Sequence, residues 1–521
     1  MSHLPDFHYC LLSALTFLPL LGALALFLAR ADDAISCRRI ALAASGAPLL
    51  LALRLLHDFD PVAKGMQFAT RVPWIPTLGI DYHVGVDGLS LALLLLVSVL
   101  VPLTVFGSVG RIAGLDARPQ DARTFFALVL IEQTGLYGAF TALNFFHWFI
   151  FWEASLVPMF FLVKMFGGAQ RTAASYQFFV YTFLGSVAML VGMQFVFLAT
   201  NTWDLVELGR MGPSLAGKLS DFARGVGLER FADAMPRAVF LMVLLGFAVK
   251  VPMWPLHTWL PKTYGQAPAA GAMLLTGLMS KMGIYGLLRI VLPLFGSEMA
   301  RLAVPLMALA VATVLLGAWA AAAQRDLRGL ISYSSVSHLG YCLLGVFAVG
   351  AATGRFEEKA LALNGVIFQM VAHGLSAAGL FYFAGALETR FGTCAYSAFG
   401  GLRKPAPVFC GLMGIVAFAS LGLPGLAGFA GEFMIFRGVF GLAGAMACVA
   451  VLGLLLTAFY ILTMFGRVFF GPSGPTTNDL SPRERVVAAT LVVALAVFGI
   501  FPNLLVRISN AAVSALAHAL G

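Results

Sequence analysis

The chain has 521 residues, 60% of them hydrophobic and only 11% charged, where soluble domains carry about a quarter charged residues. A soluble molecule of this composition could not cover its own surface, so soluble enzymes and soluble binding modules are excluded and an all-α polytopic membrane protein is expected. The formal charge of +9 is thinly dispersed over the loops, which argues against nucleic acid as a partner and for a role in setting topology across a lipid bilayer.

An apolar run needs about 20 residues to cross a hydrocarbon core about 30 Å thick, and about fourteen such runs follow one another by that criterion. The first three cover 9–29, 40–56 and 89–110. No basic stretch precedes the first and no small-residue cleavage site follows it, so it is expected to be a retained helix. Five more cover 125–142, 145–166, 176–199, 238–260 and 267–292. The next five cover 302–323, 329–350, 360–387, 408–436 and 441–469, and the last covers 486–506. The longest polar stretch, 200–237, is loop-sized, and no soluble domain or linker is expected.

Loop charge sets the expected orientation. Odd-numbered loops hold most of the arginines and lysines, among them Arg30, Arg38, Arg39, Arg111, Arg118, Arg123, Lys164, Arg171, Arg325, Arg328, Arg403 and Arg467. The short even-numbered loops hold chiefly Arg289, Arg301, Arg355, Lys359 and Arg437, and the long ones, 54–87 and 200–237, balance their basic residues with acids. Under the positive-inside rule both termini lie on the outer side. Six cysteines are scattered without a Cys-x-x-Cys pair, so no iron–sulfur or zinc site is expected in this chain. No glycine-rich turn suggests a dinucleotide site.

Two runs are broken. The seventh contains Lys250-Val251-Pro252-Met253-Trp254-Pro255, and the twelfth contains Gly422-Leu423-Pro424-Gly425 shortly before Glu432. An interior proline removes a backbone hydrogen bond and bends the helix. Such breaks survive at membrane depth only where the freed groups are buried in protein or face water. Paired discontinuous helices in two halves point to inverted repeats around a mid-membrane path.

Ionisable residues at that depth cost on the order of 2.5–3.5 kcal/mol on insertion scales and mark function by default. Lys250 beside Pro252, Lys281 in the eighth run, Glu153 in the fifth and Glu432 in the twelfth are the candidates. Burial favours a neutral amine and a nearby carboxylate favours an ammonium, so a lysine poised between them can load or release a proton. Glu153 is the partner expected for Lys250; the alternative is a static ion pair that fixes packing. Arg437 lies close enough in sequence to neutralise Glu432. His338 and His373, in the tenth and eleventh runs, suit a relay between charged groups because imidazole both donates and accepts near neutrality. Glu132, in the fourth run, is either a side branch of the path or the partner of a loop arginine. His257, Trp254 and Trp259 are expected as interfacial anchors.

These residues carry a resemblance. Phe151-Trp152-Glu153 through Pro158, Ala248 through Pro252, Pro255 through Pro261, Gln266-Ala267-Pro268, Ser334 through His338, Ala372-His373-Gly374 and Gly431-Glu432-Phe433 resemble the antiporter-like subunits of respiratory complex I, over nearly the whole chain. Val84 through Ser90, and a glutamate rather than a lysine at 432, resemble the M type among them. The resemblance implies 14 helices in two inverted five-helix repeats, 123–293 and 300–470, preceded by three helices in 1–122 and followed by one in 484–521. It implies proton translocation through Glu153, Lys250, Lys281, His338, His373 and Glu432, with Glu132, Pro252 and Pro424 as accessories. NADH, FMN, iron–sulfur clusters and quinone are then expected in partner subunits, L-type and N-type neighbours beside this chain, and a bacterial inner membrane around it. The alternatives are a subunit of an Mrp-type cation/proton antiporter, or of a hydrogenase- or ferredoxin-linked membrane complex. Relatives often carry aspartate where this chain has Asn144.

Overall fold

Without water to bond to, a backbone in hydrocarbon must satisfy its own polar groups, and the apolar runs are helical along nearly all of their length. The computed structural model describes residues 7–28, 33–108, 119–472 and 477–520. Arg30, Arg111 and Arg118, three of the residues used above for orientation, lie outside the described residues.

Helices α1 (Phe7–Leu28) and α2 (Ala34–Asp58) lead into a hairpin, β1 (Gln67–Ile75) and β2 (Ile80–Val86), and then α3 (Gly88–Gly107). Next come α4 (Pro119–Thr141), α5 (Phe145–Phe166), α6 (Arg171–Thr200), α7 (Leu205–Gly225), α8 (Met235–Lys250) and α9 (Trp259–Gln266). The eighth run forms α10 (Ala269–Leu294), a helix interrupted by two π-helical segments. A short α11 (Gly296–Arg301) precedes α12 (Ala303–Ala322), α13 (Leu327–Ala351) and α14 (Phe356–Phe391). The chain continues through α15 (Pro407–Leu421), α16 (Ala427–Ala450), α17 (Leu452–Phe469), α18 (Pro482–Ile500) and α19 (Asn503–Ala519).

Eleven helices among the described residues are long and apolar enough to cross a membrane, or up to 12 if the bent pair α18–α19 is one span. The runs that fall short have local reasons. The seventh and twelfth are cut at their prolines, leaving α8 with 16 residues and α15 with 15. The fourth, α4, carries Asp121, Arg123 and Glu132. The boundary between the twelfth and thirteenth runs survives as a kink at Ala443, where φ is −150° and ψ 63°.

Three elements were not expected. The hairpin is antiparallel, with Thr70 opposite Val84 and Gly79 closing its turn at φ 65°. Helix α7 occupies the stretch read as loop 200–237 and buries Leu205, Leu208, Leu215, Leu219 and Ala223 on one face. Helix α19 follows a 66° bend at the end of the last run. It seats on α3 at Gly88, where a Cβ would lie 1.8 Å from the Ile508 carbonyl oxygen.

The connections sort themselves by parity. On one face the hairpin meets the α4–α5 turn through Leu143 N to His83 O at 2.8 Å, and that turn meets the α6–α7 turn through Leu205 N to Leu143 O at 2.8 Å. Arg237 and Glu298 add the first turn of α8 and α11 at 3.6 Å. Lys359 donates to the Leu520 carbonyl, which brings the C-terminal end to that face. On the other face Gly168 N bonds Gln266 O, Leu327 N bonds Cys394 O, and Gly401 N bonds Phe470 O.

Candidate functional site

Helix α10 is built to hold a charge. Its first π-helical segment, Leu275–Met279, shifts the backbone register and turns the Thr276 carbonyl towards a side chain; such bulges concentrate at functional sites. Lys281 Nζ donates to Thr276 O at 2.6 Å and to Ser280 Oγ at 3.2 Å, and lies 2.8 Å from His373 Nδ1 on α14. Lys281 is fully buried. These contacts give its ammonium the hydrogen bonds that a buried charge needs.

From His373 the row continues through His338 on α13, the two rings being 5.4 Å apart between centroids. His338 Nδ1 lies 2.9 Å from Glu432 Oε1 on α16, and Gln369 Nε2 donates to the same oxygen at 3.2 Å. The Nε2 atoms of both imidazoles are buried without a hydrogen-bond partner among the described residues. Lys281, His373, His338 and Glu432 therefore form a continuous buried row contributed by four helices. No Arg437 ion pair to Glu432 occurs among the described residues; the carboxylate is held by His338 and Gln369 instead.

The row reaches the second broken helix. Gly422 ends α15 in a left-handed conformation, φ 84°, and a Cβ there would lie 2.8 Å from Glu432 Oε2. Gly428 packs so tightly across the break that its Cβ would sit 1.9 Å from the Ala419 carbonyl oxygen.

The first break places Lys250 as the last residue of α8. Its Nζ stands 4.7 Å from the centre of the Trp152 ring, a cation–π contact at a buried position, and Trp152 Nε1 is fixed by a 2.9 Å bond to Ser186 Oγ. The expected pairing with Glu153 is not a contact ion pair: no nitrogen–oxygen approach within 4.0 Å joins them among the described residues. Two carboxylates, Glu153 and Glu132, lie within electrostatic reach of Lys250. Both oxygens of Glu132 and Oε1 of Glu153 are buried without hydrogen-bond partners among the described residues. Glu132 does not pair with a loop arginine among the described residues. A narrow crevice lies between α8, α9 and α10, lined by Lys250, Trp259, Tyr264 and Ser280, the neighbour of Lys281.

Trp259 is not an interfacial anchor. It is buried, and its Nε1 donates to the Val249 carbonyl at 3.0 Å, bracing the break. Trp254 is more exposed, with its backbone N–H bonded to Thr313 Oγ1. Asn144 caps α5 by accepting from the Phe146 and His147 N–H groups, which an aspartate would also do. Sequence reasoning missed Gln369 as a Glu432 partner, and it missed the buried Arg289–Asp87 bridge at 2.7 Å that ties α10 to the start of α3. Among the described residues no group of three or more His, Cys, Asp or Glu side chains could hold a metal ion.

Broken helices around a buried row of lysines, imidazoles and carboxylates describe an ion-translocating membrane subunit. Residues 142–459 match a family profile described as NADH:quinone oxidoreductase/Mrp antiporter, transmembrane, and the chain belongs to that family. NADH-quinone oxidoreductase subunit M of Rhodobacter capsulatus is 34% identical over 518 residues, covering 97% of this chain and 96% of the relative. F(420)H(2) dehydrogenase subunit M of Methanosarcina mazei is 36% identical over 469 residues, 88% of each. Among solved structures, a chain of respiratory complex I from Thermus thermophilus with bound NADH superposes with a TM-score of 0.83 at 30% identity, over 98% of this chain and all of that one. The resemblance to M-type subunits read from the motifs is thereby borne out across the chain.

Proposed function

We propose that this chain is the proton-translocating membrane-arm subunit of a complex I-type NADH:quinone oxidoreductase, with NADH, FMN, iron–sulfur clusters and quinone handled by partner subunits and L-type and N-type neighbours beside it in a bacterial inner membrane. The observation that supports it most is the contiguous row Lys281–His373–His338–Glu432. The helices spanning 123–293 and 300–470 are then two inverted repeats, each carrying one broken helix and one charge at the break.

The proposed transfer conserves protons at each step. A charge shift from a neighbouring subunit draws Glu153 away from the Lys250 site, and Lys250 releases its proton along the crevice towards Lys281. Lys281 passes a proton to His373 Nδ1, and the ring gives up another from Nε2 to His338. His338 in turn releases one from Nδ1 to Glu432 Oε1, and the carboxylic acid discharges it on the outer side. Each imidazole accepts on one nitrogen and donates from the other. Pro252 and Pro424 supply the breaks, and Glu132 is a second carboxylate facing Lys250.

The test is proton yield per electron pair in the assembled complex carrying Lys250→Ala or Lys281→Met. Loss of pumping with the partner subunits still assembled is expected; an unchanged stoichiometry would overturn the reading. The Methanosarcina relative favours a second reading, in which the same path serves a complex with another electron donor. Purifying the tagged chain in mild detergent separates the two, because an NADH-binding flavoprotein accompanies it only in the first.

A further inference from the structure

Away from the charge row, a cavity of about 500 Å³ opens between α2, α3, α14, α18 and α19, within the range of about 300–1,000 Å³ that holds a drug-sized ligand. Its wall is apolar except for one charged residue, Arg507 of α19. Two of its lining residues, Val497 and Leu504, are themselves exposed. Arg507 is exposed and makes no ion pair or hydrogen bond among the described residues. In depth the cavity reaches Val371 and Leu375, which flank His373 on α14. Leu96, also in its wall, packs against Gly374.

We propose that this is a binding site for an anionic phospholipid, with one acyl chain in the cavity and the phosphate on Arg507. A long apolar slot with a single cation at its mouth matches an amphiphile with one charge at one end. A soluble anion would have no use for the slot, and a neutral lipid none for the arginine. The bend between α18 and α19 is what makes the site: α19 turns away by 66° and sets Arg507 over the slot that α18 leaves open. The seated chain keeps water from the His373 layer on this side, so protons are confined to the row.

The experiment uses the assembled complex in nanodiscs of phosphatidylglycerol or phosphatidylcholine, each with a trace of the same lipid bearing a diazirine at the acyl terminus. Cross-linked peptides are mapped by mass spectrometry. Labelling concentrated on 92–99 and 371–375 is expected, about fivefold stronger for phosphatidylglycerol, which is the factor one basic residue contributes at an anionic surface. Arg507→Gln should abolish the headgroup preference and leave the labelling. Ala494→Phe, which fills the slot without touching the charge row, should remove the labelling altogether. Labels spread evenly over the outer surface, equal labelling by the two lipids, or protection of these peptides by a neighbouring subunit would each overturn the proposal. None of these outcomes depends on proton yield, so the lipid site and the pumping role fail separately.

Discussion

At the scale of single residues, the proposed path rests on the two imidazoles. His338 uses Nδ1 for Glu432, and its Nε2 is buried with no hydrogen-bond partner among the described residues, in a ring 5.4 Å from that of His373. Glutamine at 338 could still hydrogen-bond the carboxylate but could not accept at one atom and release at another. His338→Gln should therefore assemble normally and slow proton-coupled turnover by about 10²-fold, the lower range of what a positioned proton-transfer group contributes; turnover measured with and without an uncoupler checks this. A different carboxylate governs the face outside the membrane. Burial raises the Asp204 carboxyl, but hydrogen bonds from His83 and the Glu207 N–H, with Arg71 nearby, more than reverse this and hold it below its usual value. A depressed value in the folded state gives stability that is fully present above the unfolded value and is lost as pH falls through the folded one. The start of α7 should thus stay closed at neutral pH and open only in acid, below the ordinary aspartate range. Hydrogen exchange at the amides of 205–208 across that range checks it, and Asp204→Asn should flatten the profile.

Between neighbouring elements, the close approaches and the buried bridge carry the energetics. Gly428→Ala would force a methyl group into the Ala419 carbonyl at 1.9 Å, and overpacking of this kind costs about 1–3 kcal/mol. The cost falls on the break that presents Glu432, so a lower melting temperature of the complex should come with a lower proton yield. Asp87 bridges Arg289 and also caps α3 by accepting from the Leu89 and Ser90 N–H groups. Asp87→Ala strands a buried guanidinium, a loss of about 3–5 kcal/mol, whereas Asp87→Asn keeps the cap and loses only the charge. Differential scanning fluorimetry of the two variants should rank alanine well below asparagine. These features also show what the sequence made legible. The apolar runs and both breaks were readable because hydropathy and proline act locally. The Lys281–His373–His338–Glu432 order was readable as a list of buried titratable groups, but Gln369 and Arg289 gain their roles only from helices far apart in the chain. Helix α7 did leave a signal, the spacing of Leu205, Leu208, Leu215, Leu219 and Ala223, which the shortness and polarity of that stretch masked. The hairpin and the bend before α19 left none so regular.

For the whole molecule, orientation is the property on which direction of pumping depends. The two loop families gather on opposite faces, one holding the hairpin, α7 and the C-terminal end, the other joining Gly168 to Gln266 and Leu327 to Cys394. Packing alone makes the faces distinct but does not say which meets the cytoplasm; the excess of arginine and lysine in odd-numbered loops is the basis for the proposed orientation, because such residues tend to be retained inside. On the orientation read from loop charge, the hairpin and α7 would lie on the outer side, the side proposed above for discharge from Glu432. In a cysteine-free background, Ser214→Cys on the exposed face of α7 should react with a membrane-impermeant maleimide in intact cells, while Thr393→Cys, exposed in the opposite loop family, should react only after the membrane is opened. The reverse pattern would invert the molecule and turn the proposed path around, so that Glu432 would load protons rather than release them. The row would survive such a result, because its contacts do not depend on orientation. Its direction, and with it the assignment of Lys250 as the gated end, would not.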